Sequence, residues 1–419
     1  MISENKQFLE DLDGILKIKT VKGECGEETE KAPLGEGINN AINYMLALGE
    51  KFGFKTKNID GCCGYIEMGE GEELLGILTH LDVVSADGEW SVEPFSLTVR
   101  DGKYYSRGII DDKGPAMMSL YAMKQIQNEK IKLSKRVRLI LGGDEETGRW
   151  ECIKKYKNSE KEPDIAFTPD GEFPVVFAEK GMLKLKIKGN YELEDKTFLF
   201  EGGHVINIVP DYAKCICNGK DYVAFGTAAH ASEPHKGENA VLKLAGDLFE
   251  KGVKNPFVDL LLNINKKDLG IDICDEPSGE LTLNPAIAKA DFCHAELLCD
   301  IRFPVTKKLG DFYPNIEKKV KELGFDVEIM NVDNPLYEEK DGFLVSTLQS
   351  VYEKITGDKT PPVAMGGGTY AKAFKNTVAF GIMFPDCESG CHVADEHLTK
   401  DELDKSFEII KEAIIKLAE

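Results

Sequence analysis

The sequence predicts an α/β domain built on a mostly parallel central sheet, interrupted by an inserted α+β domain. Short apolar runs alternate with stretches of helical periodicity toward both ends of the chain. The middle departs from that alternation and reads as longer, paired strands with helices between them. The 419 residues also exceed what one ordinary core accommodates. The expected boundaries are 1–180 joined to 336–419 for the first domain and 181–335 for the insert.

The elements follow in order. Phe8, Leu9, Leu12, Ile15 and Leu16 share one helical face, with Ser3 as the expected cap. Ile38, Ala41, Ile42, Met45 and Leu46 recur at helical spacing and predict a helix over 38–52. Buried strands are expected at 74–79, 137–141, 165–168 and 378–384, with a helix over 116–127. In the insert, Leu183 to Ile187 alternates apolar and basic residues, and 281–291 and 296–303 read as paired strands. Helical stretches fall at 239–249 and 316–323. Thr399 and Glu402 form a capping box for a last helix carrying Leu403, Phe407, Ile410 and Ile414.

Composition narrows the function classes. A formal net charge of -21 repels phosphate backbones, so nucleic acid is not an expected partner. No apolar run reaches the length of a membrane span, and the opening residues lack a basic segment followed by an apolar one. Eleven scattered cysteines form no C-x-x-C framework, which suits a reducing cytoplasm. Cys387 and Cys391 read as ordinary thiols.

The chemically suggestive residues follow the predicted strands. His80 and Asp82 stand in T-H-L-D, Asp144, Glu145 and Glu146 in G-G-D-E-E-T-G, and Asp170 in T-P-D-G. Asp111 and Asp112 stand in R-G-I-I-D-D-K-G-P, just before a helix. In an open α/β sheet, ligands bind beyond the carboxyl ends of the strands. Imidazole and carboxylate are ordinary zinc ligands. Two ions about 4 Å apart need a bridging carboxylate, and hydrolysis needs another carboxylate free to carry a proton. Adjacent Glu145 and Glu146 could divide ligation and proton transfer between them. Singly, each motif has an ordinary structural reading: a loop histidine, a solvated acidic loop, a helix-dipole pair, a turn. Their joint order at strand ends, together with the family resemblance that follows, favours a metal centre.

Together with A-A-H-A-S-E-P, G-G-G-T-Y-A and C-H-V-A-D-E-H, these motifs resemble, in order, those of PepV-type dipeptidases. Those enzymes belong to the co-catalytic zinc peptidase family that also holds carnosinases, aminoacylases and succinyl-diaminopimelate desuccinylase. The resemblance implies an α/β catalytic domain with an inserted α+β lid, a short peptide substrate and two zinc ions. Manganese or cobalt would suit the same donors. It further implies that His80 and Asp170 bind one zinc, Glu146 and His392 the other, and Asp111 both. Asp82 would orient His80, and Glu145 would be the general base. His392 is preferred over nearby His397 because it heads its motif. Asn207, His230 and Arg302 would contact substrate, His230 as a donor to the oxyanion and Arg302 at the terminal carboxylate. Gly366, Gly367, Gly368 and Thr369 would lie against the same carboxylate. The long insert resembles that of monomeric members, so a monomer is expected. A deacylase of N-acyl amino acids and a non-catalytic metal-dependent peptide-binding protein are the competing readings.

Overall fold

A computed structural model describes residues 1–419. The chain divides into two compact units. One comprises Met1–Phe177, Glu338–Val363 and Thr369–Glu419, the other Ala178–Tyr337 and Ala364–Gly368.

The first unit is organised around four parallel strands, in spatial order Arg136–Gly142, Leu74–His80, Ile165–Thr168 and Thr377–Ala379. Leu74–His80 is buried at every position. That explains its continuous apolar run, since a central parallel strand is covered on both faces. Cys63–Met68 and Lys55–Ile59 extend one side antiparallel, and Val176 pairs antiparallel with Ala379 on the other. The sheet is therefore mixed, parallel at its centre and antiparallel at its margins. Lys113–Asn128 is buried along most of its length, and the C-terminal helix Lys400–Ala418 packs against it.

Local chemistry sets the element ends. Asn5, not Ser3, caps the first helix Lys6–Leu16, its side chain accepting from Phe8 N. Ser3 instead gives its N–H and hydroxyl to the Asp404 carboxylate at 2.9 and 2.6 Å. Thr399 and Glu402 make the reciprocal capping box. The strand expected over 378–384 is broken. Thr377–Ala379 ends before Gly381, whose φ of 82° is left-handed, and Ile382–Met383 pairs elsewhere, with Gly171–Glu172.

The second unit is a seven-stranded antiparallel sheet. Its order is Lys220–Phe225, Tyr212–Cys217, Leu199–Gly202, Thr282–Asp291, His294–Phe303, Gly181–Asn190 and Asp326–Asp333. Leu183, Leu185 and Ile187 turn inward along Gly181–Asn190, joining Val241, Leu244, Phe257 and Ile316 from three helices in one core. On the other face Lys186 and Lys188 pair with Glu296 and Glu328 at 3.3 and 2.9 Å. This is the period-2 pattern of a half-buried strand. No helix is long and apolar enough to cross a membrane. All eleven cysteines are free.

Candidate functional site

Three neighbouring parallel strands deliver His80 and most of the first unit's acidic groups to one edge. His80 is the last residue of Leu74–His80 and pairs with Gly142, the last of Arg136–Gly142. Asp82, Asp144, Glu145 and Glu146 follow these two strands, and Asp170 follows Ile165–Thr168. Asp111 lies just before Lys113–Asn128. Asp112 gives that helix no side-chain cap, and its Oδ2 accepts from His80 N at 3.0 Å. His392 arrives from a loop before His397–Thr399 at φ 65°. A left-handed non-glycine residue costs on the order of 1–3 kcal/mol and persists where its surroundings hold it.

These side chains converge. Asp111 Oδ1 lies 2.8 Å from His80 Nε2, and Asp111 Oδ2 lies 2.9 Å from His392 Nε2. Glu146 Oε1 is 3.2 Å from His392 Nε2, and Asp170 Oδ2 is 3.6 Å from His80 Nε2. Donor atoms of His80, Asp111 and Glu146 lie within 4.8 Å of one another, as do those of His80, Glu145 and Asp170. His397 joins neither group. It turns Nδ1 to Asp395 O at 2.8 Å and sits against Tyr105.

The chemistry of these contacts fits a cation pair. His80 Nδ1 lies 2.9 Å from the main-chain oxygen of Asp82, which can only accept, so Nδ1 carries the proton. Burial opposes a charge on the ring, but the facing Asp111, Asp170 and Asp82 carboxylates outweigh it and push the His80 pKa well up, so Nε2 draws a cation toward Asp111. His80 Nε2 and Asp111 Oδ1 are both buried without a hydrogen-bond partner despite their 2.8 Å approach. A proton or a metal ion at Nε2 would satisfy both atoms. The titration preferences agree. Burial pushes the Glu145, Glu146 and Asp170 carboxyls up, with Asp111 a further cause for each. His392, against Asp111 and Glu146, is pushed up to about 10. Four crowded carboxylates (Asp111, Glu145, Glu146, Asp170) carry negative charge that two dications would offset. Nitrogen and oxygen donors of this kind suit zinc, manganese or cobalt.

Several supports were not legible in the sequence. The Asp82 carboxylate lies 3.4 Å from His80 Nδ1, farther than its own main-chain oxygen. Its hydrogen bonds come from the main-chain N–H groups of Glu145 and Glu146, at 3.2 and 3.0 Å, so it also fastens the acidic turn. Tyr370 meets the His80 ring edge to face, with centroids 5.9 Å apart. Glu396 is fully buried and accepts from Arg107 Nη1 at 2.6 Å, Gly108 N at 3.2 Å, Ile110 N at 2.8 Å and Asp111 N at 3.4 Å. It ties the segment bearing Asp111 to the segment bearing His392. The signal was present, since Arg107 and Glu396 stand inside the two quoted motifs, but their pairing spans the whole chain. Beside Glu146 opens a cleft of ≈ 460 Å³, lined also by Val83, Val84, Ser85, Lys22 and Arg149.

The second unit gathers most of the expected substrate residues. Ala231 N donates to Asn207 O at 2.8 Å, holding the loop that carries His230. Ser232 N donates to His230 Nδ1 at 3.3 Å, and Ser232 Oγ lies 2.6 Å from the same nitrogen. A main-chain N–H can only donate, so Nδ1 bears a lone pair and the proton sits on Nε2. Burial and the Arg302 guanidinium both lower the His230 pKa, keeping the ring neutral. The guanidinium fork of Arg302 is already occupied: Nε and Nη2 meet the two Asp300 oxygens at 2.6 and 3.0 Å. Nη1 donates to Gly366 O at 2.8 Å. A Cβ at Gly366 would stand 2.4 Å from Ser232 Cβ, so only glycine permits this approach. Gly367 and Gly368 continue the same segment. Thr369 belongs to the first unit, where its hydroxyl accepts from Ala371 N at 3.1 Å.

The comparisons agree with this architecture. The profile of peptidase family M20/M25/M40 matches residues 76–416, and the chain belongs to that family. It is 35% identical to a Bacillus subtilis (strain 168) protein named "Putative dipeptidase YtjP", covering 100% of this chain and 98% of that one. Its fold is similar to aminoacylhistidine dipeptidase from Vibrio alginolyticus, with TM-score 0.67, 15% identity and coverage of 100% and 98% of the two chains. Human carnosine dipeptidase 1 gives TM-score 0.64 at 12% identity, with 98% and 96% covered.

Proposed function

We propose that the chain is a dipeptidase that hydrolyses the peptide bond of dipeptides or other short peptides with two divalent ions, zinc foremost. The observation that carries this is Asp111, whose two oxygens each face a different imidazole. His80 and Asp170 would hold one ion, His392 and Glu146 the other, and Asp111 both. When bound, the ions supply Lewis acidity that polarises the scissile carbonyl and acidifies water. Glu145 takes a proton from the attacking water and returns it to the leaving nitrogen. Burial has raised its pKa, which makes the carboxylate a better base. The Nε2–H of neutral His230 donates to the oxyanion. Arg302, its fork engaged by Asp300 and its Nη1 by Gly366 O, would offer its positive charge to the substrate carboxylate, with Asn207 as a further substrate contact. Lys22 and Arg149 line the cleft next to Glu146, and its size suits a small ligand.

The lid-type insert supports a monomer, and eleven free cysteines support a reducing compartment such as the cytoplasm. Glu145→Gln tests the mechanism. It should keep the full metal content and lose about 10²–10⁴-fold in kcat on dipeptides. Near-normal turnover removes Glu145 from the base role. Hydrolysis of N-acyl amino acids but no dipeptide would make the chain a deacylase. Bound metal with no hydrolysis of either class would make it a peptide-binding protein.

A further inference from the structure

Beyond the five nitrogen and oxygen ligands, one thiol reaches the same centre. The Cys391 sulfur, a carboxylate oxygen of Asp111 and an imidazole nitrogen of His392 all lie within 4.8 Å of one another. Donors sharing one tetrahedral zinc, with bonds of about 2.0 Å to nitrogen and 2.3 Å to sulfur, stand roughly 3.5 Å apart. The trio is therefore close to a common coordination sphere. A second observation points the same way. On the His392 side, Nε2 lies 2.9 Å from Asp111 Oδ2 and 3.2 Å from Glu146 Oε1, so three of the four donors already crowd one point.

We propose that Cys391 is a thiolate ligand of the ion on the His392 side of the centre. This rests on the reading of the site as dinuclear. The donor set there becomes His392 Nε2, Glu146, Asp111 and Cys391 Sγ, four donors of mixed softness. As the metal–sulfur bond forms, the S–H proton leaves to solvent. Oxygen-rich sites suit magnesium and manganese, whereas a thiolate favours zinc, cobalt and cadmium. Cys391 thus biases one of the two positions toward softer ions, and it makes that position vulnerable to thiol reagents when metal is withdrawn. Nothing places Cys387 in this group. Its thiol is half-buried and belongs to none of the donor clusters.

Cobalt(II) titration of the metal-free protein tests this without any assay of turnover. Visible d–d bands report cobalt among nitrogen and oxygen donors, and a near-ultraviolet charge-transfer band reports a thiolate–cobalt bond. The wild-type protein should develop both. Cys391→Ser should keep the d–d bands and lose the charge-transfer band, whereas Cys387→Ser should keep both. Wild-type d–d bands without the charge-transfer band, or a band that survives in Cys391→Ser, would overturn the role of Cys391 and leave the dinuclear reading standing. Cobalt binding in none of the three proteins would overturn both. Alkylation followed by peptide mass spectrometry gives a second readout. Cys391 should react in the metal-free protein and be protected by zinc, and equal labelling in the two states would count against the proposal.

Discussion

Two histidines show how a backbone atom assigns a side chain its task. At His80 a carbonyl oxygen accepts from Nδ1–H and leaves Nε2 as the atom that would meet a metal. At His230 a main-chain N–H occupies Nδ1 and leaves Nε2–H as a donor. The same side chain becomes a ligand in one place and a hydrogen-bond donor in the other. His230→Ala should therefore lower kcat by about 10²–10³-fold while metal content stays unchanged. Steady-state kinetics beside metal quantification checks this, and an unaltered kcat would return His230 to a structural role. Arg302 carries the opposite lesson. The resemblance placed Arg302 at a substrate carboxylate, and Asp300, two residues earlier in the same strand, already holds both of its parallel N–H groups. Residues i and i+2 of a strand share a face, so this pairing could have been read from the motif itself.

At the scale of elements, the site exists because parallel strands end together. The runs at 74–79, 137–141 and 165–168 were legible because a strand covered on both faces is continuously apolar. The loops after them were legible as motifs, but their supports were not. Glu396 reaches the loop before Asp111 from nearly 300 residues away, as its contacts at |i−j| of 289 to 285 show. No local pattern encodes such a pair. Glu396→Ala should leave the Arg107 guanidinium buried without its carboxylate, at a cost of about 3–5 kcal/mol. Denaturant unfolding measures that loss, and metal affinity should fall with it. A loss under 1 kcal/mol would show that the clamp matters little. The strand expected over 378–384 failed for a local reason. Gly381, at φ 82°, turns the chain between two short strands, and an apolar run does not reveal a bend.

At the scale of the whole molecule, the two units differ in what their sequences disclose. Alternation along Gly181–Asn190 gave the second unit its sheet, while the segment 364–368 joins that unit through contacts no periodicity signals. Clustered negative charge at the site works against the first unit's stability. Without cations, four carboxylates crowd buried His80 and half-exposed His392, so metal bound only by the folded chain must stabilise it. At a free metal concentration a thousandfold above Kd the gain is about 4 kcal/mol per site. Chelation should therefore lower Tm by several degrees, and added zinc should restore it; a Tm indifferent to both would argue against a built site. The most direct test of the centre is anomalous scattering at the zinc edge from crystals grown with zinc. Two peaks about 3.5–4 Å apart should flank the Asp111 carboxylate, one against His80 and Asp170, the other against His392 and Glu146. A single peak, or none within bonding distance of Asp111, would contradict the account.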